Sequence, residues 1–214
     1  KRIKLKVSPR DGYERTRLVR DAYPELALAV DANQSYTYDQ LDMVAAYNDL
    51  NLLCIEEPFS MTNLTTYKAW KESLPNWPIT TSICLDESIL SYDDLSYAIE
   101  CRLIDVLNVK VGRLGGLIQT RAAILRCREA GIPYWIGSMV ESGISKILHV
   151  QLAALGDTYM AGDLSDSSRY FEHDLINPAI LFTDGSMQVP NGAGLGVDVL
   201  DNRIEEYTVE KRTL

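Results

Sequence analysis

Residues 51–86 read NLLCIEEPFSMTNLTTYKAWKESLPNWPITTSICLD and contain one complete structural repeat. Residues 51–57 and 79–86 are short apolar runs typical of buried strands, and residues 63–74 between them have the spacing of a helix. A connection of this length, with a helix in it, joins parallel strands. The stretch therefore predicts a parallel sheet covered by helices.

The same alternation extends in both directions along the chain. Strands are predicted over residues 3–7, 26–33, 51–57, 79–86, 106–112, 133–139 and 159–165. Helices are predicted over residues 12–23, 38–50, 63–74, 92–101, 116–130 and 143–155. An open doubly wound sheet and a (β/α) barrel both have this order of elements, and strands at intervals of about 25 residues favour the barrel. A barrel needs eight strands, and since the chain starts inside a strand pattern we expect the first one to be absent.

The alternation of strands and helices stops after residue 165, so two regions are expected. Residues 1–165 are predicted to form a barrel domain that contains strands two to eight. Residues 166–214 are predicted to form a C-terminal extension, packed on the barrel and on a capping domain absent from this chain. This extension contains a hairpin that turns at Asp184 and Gly185, followed by a loop at residues 191–198, NGAGLGVD.

The amino-acid composition indicates which kinds of molecule the protein binds. The 214 residues include 21 Lys and Arg against 30 Asp and Glu, for a net charge of −9. This charge argues against binding to nucleic acid or to an anionic membrane surface, so a small-molecule partner is expected. No apolar run reaches the roughly 18 residues that cross a bilayer, and a cytoplasmic protein is expected. The sequence leaves open whether the chain assembles as a homo-oligomer.

Charged residues stand at the carboxyl ends of the apolar strands. In chain order they are Lys6, Asp31, Glu56, Asp86 and Lys110. A single charge of this kind is most often a solvated edge residue or a turn residue. In a barrel, however, successive strand ends lie side by side around one mouth, so together these residues predict an active site. Three neighbouring carboxylates require a cation, and oxygen ligands favour Mg²⁺.

Five ordered motifs carry a family resemblance. They are Lys4-x-Lys6, Asp31-x-Asn33, Ile55-Glu56-Glu57-Pro58, Asp86-Glu87-Ser88 and Asn108-x-Lys110-x-Gly112-Arg113-x-Gly115-Gly116. Together they resemble the muconate-lactonising subgroup of the enolase superfamily. Within that subgroup, residues 137–143 (GSMVESG), 162–165 (GDLS) and 169–171 (RYF) resemble the family of o-succinylbenzoate synthases and N-succinylamino acid racemases. The resemblance covers nearly the whole chain.

The resemblance implies a fold and a set of site residues. The fold would be the (β/α)7β TIM-type barrel of the enolase superfamily, without its first strand and its α+β capping domain. Asp31, Glu56 and Asp86 would bind Mg²⁺, for which Mn²⁺ could substitute. A small-molecule carboxylate would be the substrate. The residues implied to contact it are Lys4, Ser138 and Met139, and those implied to lie just behind the metal ligands are Asn33 and Glu87.

The resemblance also implies the chemistry. An o-succinylbenzoate synthase dehydrates 2-succinyl-6-hydroxy-2,4-cyclohexadiene-1-carboxylate through an enediolate in menaquinone biosynthesis. Lys6 would remove the α-proton and return it to the departing hydroxyl, while Lys110, as an ammonium, would stabilise the enediolate. An N-succinylamino acid racemase would use the same two lysines as two bases, so the sequence does not separate these activities.

Two related activities of the superfamily fit the sequence less well. Dipeptide epimerases would call for an Asp-x-Asp pair where this chain has Asp163-Leu164-Ser165. A muconate cycloisomerase would call for a glutamate that the last predicted strand lacks. A catalytically inactive barrel fragment and a binding scaffold are the remaining alternatives.

Overall fold

The computed structural model describes residues 2–212. Its main sheet contains six strands that neighbour one another in chain order. They are β1 (Ile3–Lys6), β2 (Leu28–Asp31), β3 (Ile55–Glu56), β4 (Ile83–Leu85), β5 (Val106–Val109) and β6 (Tyr134–Ile136). From β1 to β5 each neighbouring pair is parallel. The predicted parallel sheet is confirmed, with strands shorter than the apolar runs that revealed them.

Helices follow the first six strands as predicted. The α-helices are α1 (Gly12–Ala22), α2 (Leu41–Ala45), α3 (Leu64–Ser73), α4 (Tyr92–Glu100), α5 (Leu117–Ala130), α6 (Gly143–Ala153) and α7 (Asp201–Tyr207). The helix expected over residues 38–50 is composite, because short 3₁₀ helices at Tyr38–Gln40 and Ala46–Leu50 flank α2. Asn51, which has a left-handed φ of 46°, ends this segment.

The strand predicted over residues 159–165 is not formed. Only a single parallel bridge, between Gly137 and Asp163, occurs in this segment. Glycine and aspartate are poor strand formers, so the apolar residues around them do not sustain a ladder. Gly162 also lies so close to the backbone that a Cβ atom there would be 2.5 Å from the Ile136 carbonyl oxygen.

The C-terminal hairpin turn is confirmed. Thr183 and Ser186 exchange both backbone hydrogen bonds, at 2.8 and 2.9 Å. Between them Asp184 and Gly185 have φ values of 51° and 74°, and two successive positive values define the tight turn that Asp-Gly favours. The loop expected over residues 191–198 is wrong at its end, because Asp198 belongs to a short strand.

A small second sheet forms in this C-terminal region. It consists of β7 (Ile176–Asn177) and β8 (Asp198–Val199), which pair antiparallel. The apolar side chains nearby pack around Ile147, Val150, Ile176 and Ile180. This C-terminal region therefore shares a small core with α6.

Contacts divide the described chain into two compact units. The first contains the residues up to Trp135 together with Tyr159–Ala161, and the second contains Ile136–Thr158 together with the residues from Gly162 onward. The first unit includes all of β1 to β5 and α1 to α5, and the second includes α6, α7, β7 and β8. The domain boundary expected between residues 165 and 166 stays a prediction.

An apolar layer underlies the charged strand ends in the first unit. Ala29, Cys54, Cys84 and Val106 form one buried cluster with Trp135. Because side chains alternate across a strand, a residue two positions further along points to the same face. In each of the four strands, the residue two positions after the cluster member is polar: Asp31, Glu56, Asp86 and Asn108. The polar groups thus form the next layer above an apolar floor.

Candidate active site

Strand register brings the charged residues of the first unit together. Lys6 is the register partner of Asp31, and Asp31 is the partner of Glu56. Asp86 and Lys110 are the first residues after β4 and β5. All five predicted charges therefore stand at one edge of the sheet, in the predicted order.

Two lysines from β1 pair with the first two carboxylates. Lys6 Nζ lies 2.6 Å from Asp31 Oδ2. Lys4 Nζ bridges neighbouring strands, at 3.2 Å from Asp31 Oδ2 and 3.1 Å from Glu56 Oε2. Asp31 and Glu56 are 1% and 0% exposed, whereas the Lys6 side chain is 66% exposed. Lys6 is therefore the most exposed of these four side chains.

The third carboxylate is held from the other side. Asp86 pairs with the guanidinium of Arg113, and Lys110 Nζ lies 3.5 Å from Asp86 Oδ2. The buried amide of Asn108 donates to Glu56 Oε1 at 2.8 Å and to Asp86 Oδ2 at 3.3 Å. Asn108 and Arg113 were quoted within a motif but were given no role in the sequence analysis. Their signal was their spacing from Lys110, two residues before it and three after.

Burial sets the electrostatics of the cluster. It raises the pKa of Glu56, and the nearby negative charge of Asp31 acts in the same direction. The positive charge of Lys4 and the hydrogen bond from Asn108 oppose that increase. Ionised carboxylates in such a layer need positive charge close by, which here comes from lysine and arginine side chains.

The donor set suits a hard divalent cation. Asp31, Glu56 and Asp86 offer only oxygen, and all three are buried above the apolar floor. Lys4 contacts two of them and Asn108 contacts two, so they share partners across three neighbouring strands. Within residues 2–212, no three His, Cys, Asp or Glu side chains are already arranged around a common metal position. In this arrangement side-chain cations compensate the charge that a metal ion would otherwise neutralise.

Hydrogen bonds connect Asn33 and Glu87 to this cluster. Asn33 Oδ1 accepts a hydrogen bond from Lys6 Nζ at 2.5 Å, and its Nδ2 donates to Glu87 Oε1 at 2.7 Å. The Asn33 backbone N–H also donates to Asp31 Oδ1 at 3.1 Å. Asn33 thus connects a predicted metal ligand, a predicted catalytic lysine and the loop after β4.

Glu57 is a further buried carboxylate beside the cluster, to which the sequence pattern assigns no role. Its carboxylate accepts hydrogen bonds from Asp86 N, Ser88 Oγ and Gln34 Nε2. Burial raises the pKa of Glu57 to about 7, and the hydrogen bonds from Ser88 and Gln34 limit the increase. In the sequence, the feature that could have pointed to this residue is the second glutamate of the Ile55–Pro58 motif.

Ser138 and Met139 belong to the second unit. Ser138 Oγ donates to the Asp163 carbonyl at 2.6 Å, and Met139 is 49% exposed. The Met139 N–H donates to Glu141 Oε2 at 3.0 Å, and that oxygen lies 3.2 Å from Nδ1 of the buried His149. These contacts shape the loop before α6. The assignment of Ser138 and Met139 to a substrate stays a prediction.

Among the described residues, no helix has both the length and the apolar character needed to cross a bilayer.

Comparison with known proteins identifies relatives along nearly the whole chain. Residues 1–203 match the family described as enolase C-terminal domain-like. The o-succinylbenzoate synthase of Geobacillus kaustophilus is 35% identical over 208 residues, which is 97% of this chain and 54% of that protein. The N-succinylamino acid racemase of Thermus thermophilus is 36% identical over 212 residues, which is 99% of this chain and 56% of that protein.

A solved structure agrees with these sequence matches. An enolase-superfamily member from Enterococcus faecalis aligns with a TM-score of 0.87 and 32% identity, over 96% of this chain and 55% of that one. The predicted fold class, the barrel domain of the enolase superfamily, is confirmed. The chain spans about half the length of the curated relatives it matches.

Proposed function

This chain belongs to the enolase C-terminal domain-like family, and from that premise we propose that the protein acts as an o-succinylbenzoate synthase. Its substrate would be 2-succinyl-6-hydroxy-2,4-cyclohexadiene-1-carboxylate, dehydrated in menaquinone biosynthesis in the cytoplasm. One observation carries the proposal: three buried carboxylates on consecutive strands, with lysines from the strands on either side. Relatives with that printed name at about 35% identity support it.

The proposed metal is Mg²⁺, with Mn²⁺ as a substitute, held by Asp31, Glu56 and Asp86. When bound, such an ion neutralises the negative charge that develops on a substrate carboxylate as its α-proton leaves. The buried position of the three ligands supports the proposal, because charge is stabilised more strongly where water is excluded. Asn108 and Asn33 orient the ligands by hydrogen bonds.

We propose that Lys6 Nζ takes the α-proton and returns it to the departing hydroxyl. The side chain is exposed enough to reach a substrate and is oriented by Asp31 and Asn33. Lys110, which is 8% exposed beside Asp86, would remain an ammonium and stabilise negative charge on the substrate. Lys4 would bind the substrate carboxylate.

N-succinylamino acid racemisation is the second candidate. The Thermus thermophilus protein of that name is 36% identical to this chain, much the same as the synthases. Both reactions begin with removal of a proton next to a carboxylate, so one pair of lysines serves both. In racemisation Lys110 would also have to lose and regain a proton.

The deciding experiment uses the full-length protein, stripped with EDTA and then supplied with Mg²⁺. Turnover of the cyclohexadiene acid and of each enantiomer of N-succinylphenylalanine is measured side by side. Faster Mg²⁺-dependent loss of the cyclohexadiene acid supports the synthase, and faster loss of optical rotation supports the racemase. Absence of both activities in a folded, Mg²⁺-loaded protein would refute the two proposals and favour an inactive barrel.

A further inference from the structure

We propose that Glu57 is a positioning residue that fixes Asp86 relative to Glu56 and so sets the affinity of the site for a divalent cation. The inference rests on the proposed function, because it assumes that Glu56 and Asp86 share one metal ion. It assigns a role to a buried carboxylate that is not itself a proposed metal ligand.

The backbone of Glu57 links the ends of three strands. Its N–H donates to the Cys84 carbonyl in β4 at 2.8 Å, and its own carbonyl accepts from Gln34 N, after β2, at 2.8 Å. Glu57 has a φ of 40°. That left-handed conformation is uncommon for a residue with a side chain, and such residues cluster at functional sites.

The side chain of Glu57 extends the same connection. Oε2 accepts the backbone N–H of Asp86 at 2.7 Å. Oε1 accepts from Gln34 Nε2 at 3.1 Å and from the Ser88 hydroxyl. One peptide bond joins Glu57 to Glu56, and one hydrogen bond joins it to Asp86. The relative position of the two proposed ligands therefore depends on this carboxylate.

Packing alone does not account for a glutamate at this position. Glu57 is 0% exposed, and an apolar side chain of similar volume avoids the desolvation of a carboxylate. Its oxygens accept from three donors, so the group organises its surroundings. A carboxylate matches these three donors, whereas a glutamine would turn an N–H₂ toward at least one of them.

The test compares Glu57→Gln with Ser88→Ala in the full-length protein. Mg²⁺ binding is measured by calorimetry at a temperature well below unfolding, and the unfolding temperature is measured in EDTA. We expect Glu57→Gln to weaken Mg²⁺ binding by about 10–100-fold, the range found when residues that orient metal ligands are lost. Ser88→Ala leaves the Asp86 N–H bond in place, so its Mg²⁺ affinity should stay within about threefold of wild type.

Steady-state kinetics separate positioning from direct participation. If Glu57 acts through the metal ligands, excess Mg²⁺ should restore most of the kcat of Glu57→Gln. A folded Glu57→Gln protein with wild-type Mg²⁺ affinity would overturn the inference and leave the proposed function intact. A wild-type protein that binds no Mg²⁺ would overturn both.

A second variant covers the case in which Glu57→Gln does not fold. Gln34→Leu combined with Ser88→Ala removes both side-chain donors to Oε1 and leaves the backbone bonds to the carboxylate, including the one from the Asp86 N–H. We expect this double variant to lose more Mg²⁺ affinity than Ser88→Ala and less than Glu57→Gln. Unchanged affinity in this double variant would also overturn the inference.

Discussion

The two edges of the main sheet use polar side chains in opposite ways. At the carboxyl edge, Lys4, Asp31, Glu56 and Asp86 contact other charged or polar side chains. At the amino edge, polar side chains contact the backbone. The carboxyl edge therefore concentrates charged groups in one place, as a binding site requires. The amino edge fixes the loops that lead into the strands.

Arg20 dominates the amino edge. It lies on α1 and donates to backbone carbonyls around the starts of β2 and β3, at 2.7 to 3.3 Å. The accepting carbonyls belong to Tyr23, Pro24, Leu26, Leu50 and Asn51. The bonds to Leu26 and Leu50 are partly buried, where a carbonyl depends more on a protein donor than on water, so these two contribute most to stability.

Asn48 has the same role before β4. Its Oδ1 accepts from the backbone N–H groups of Thr80 and Thr81, at 2.9 and 3.0 Å, and its Nδ2 donates to the Pro78 carbonyl at 2.9 Å. The contrast teaches that, at the amino edge, Arg20 and Asn48 secure the loops through the backbone, whereas the charged side chains at the carboxyl edge bond to one another and form the proposed site. Substitutions on the two edges should therefore separate activity from stability.

The largest expected effect is at the carboxyl edge. Lys6→Ala in the full-length protein should reduce turnover by about 10²–10⁴-fold, because a general acid–base group is lost. The unfolding temperature should change little, since the Lys6 side chain is mostly exposed. Turnover is measured with saturating Mg²⁺, and wild-type turnover would remove Lys6 from the proposed mechanism.

The next largest effect concerns metal affinity. Asp31→Asn should weaken Mg²⁺ binding by at least about 10–100-fold, as a proposed ligand loses its charge. Stability in EDTA should not fall with it, because the substitution also removes a negative charge that raises the pKa of Glu56. Calorimetry measures the Mg²⁺ affinity, and urea unfolding measures the stability in EDTA. A large loss of stability in EDTA would break the contrast between the edges.

At the amino edge the expectation is reversed. Arg20→Met should lower the free energy of unfolding by about 2–3 kcal/mol, because several carbonyls lose a charged donor. The kcat of the folded protein should be unchanged. Arg17→Met serves as the matched control on the same helix, since within residues 2–212 Arg17 makes one ion pair, an exposed one with Glu14. That control should cost about 0.5 kcal/mol or less, and equal losses in both variants would contradict the role given to Arg20.

The smallest expected effect is that of a second substitution at the amino edge. Asn48→Ala should lower the free energy of unfolding by about 1–2 kcal/mol, since a neutral amide is lost instead of a guanidinium. Mg²⁺ affinity should stay at the wild-type value. Urea unfolding and calorimetry on the same sample provide both readings. Reduced Mg²⁺ affinity would show that the two edges are coupled.

The repeat pattern and the strand-end charges could be predicted from the sequence because both are local. Apolar runs and helical spacing predicted the six strands of the main sheet and their order. The charged residues at the strand ends then followed from the geometry of parallel strands, whose carboxyl ends meet. Neither prediction requires knowing which side chains contact each other in the folded chain.

Only the tertiary structure decided which side chains pair. Arg113 reaches Asp86, Glu57 holds the Asp86 N–H, and Arg20 binds loops up to 31 residues away. It also decided that residues 159–165 form one bridge in place of a strand. Sequence periodicity fixes the face of a strand or helix on which a residue lies. The partner across that face depends on strand register, loop path and exclusion of water, which exist only once the chain has folded.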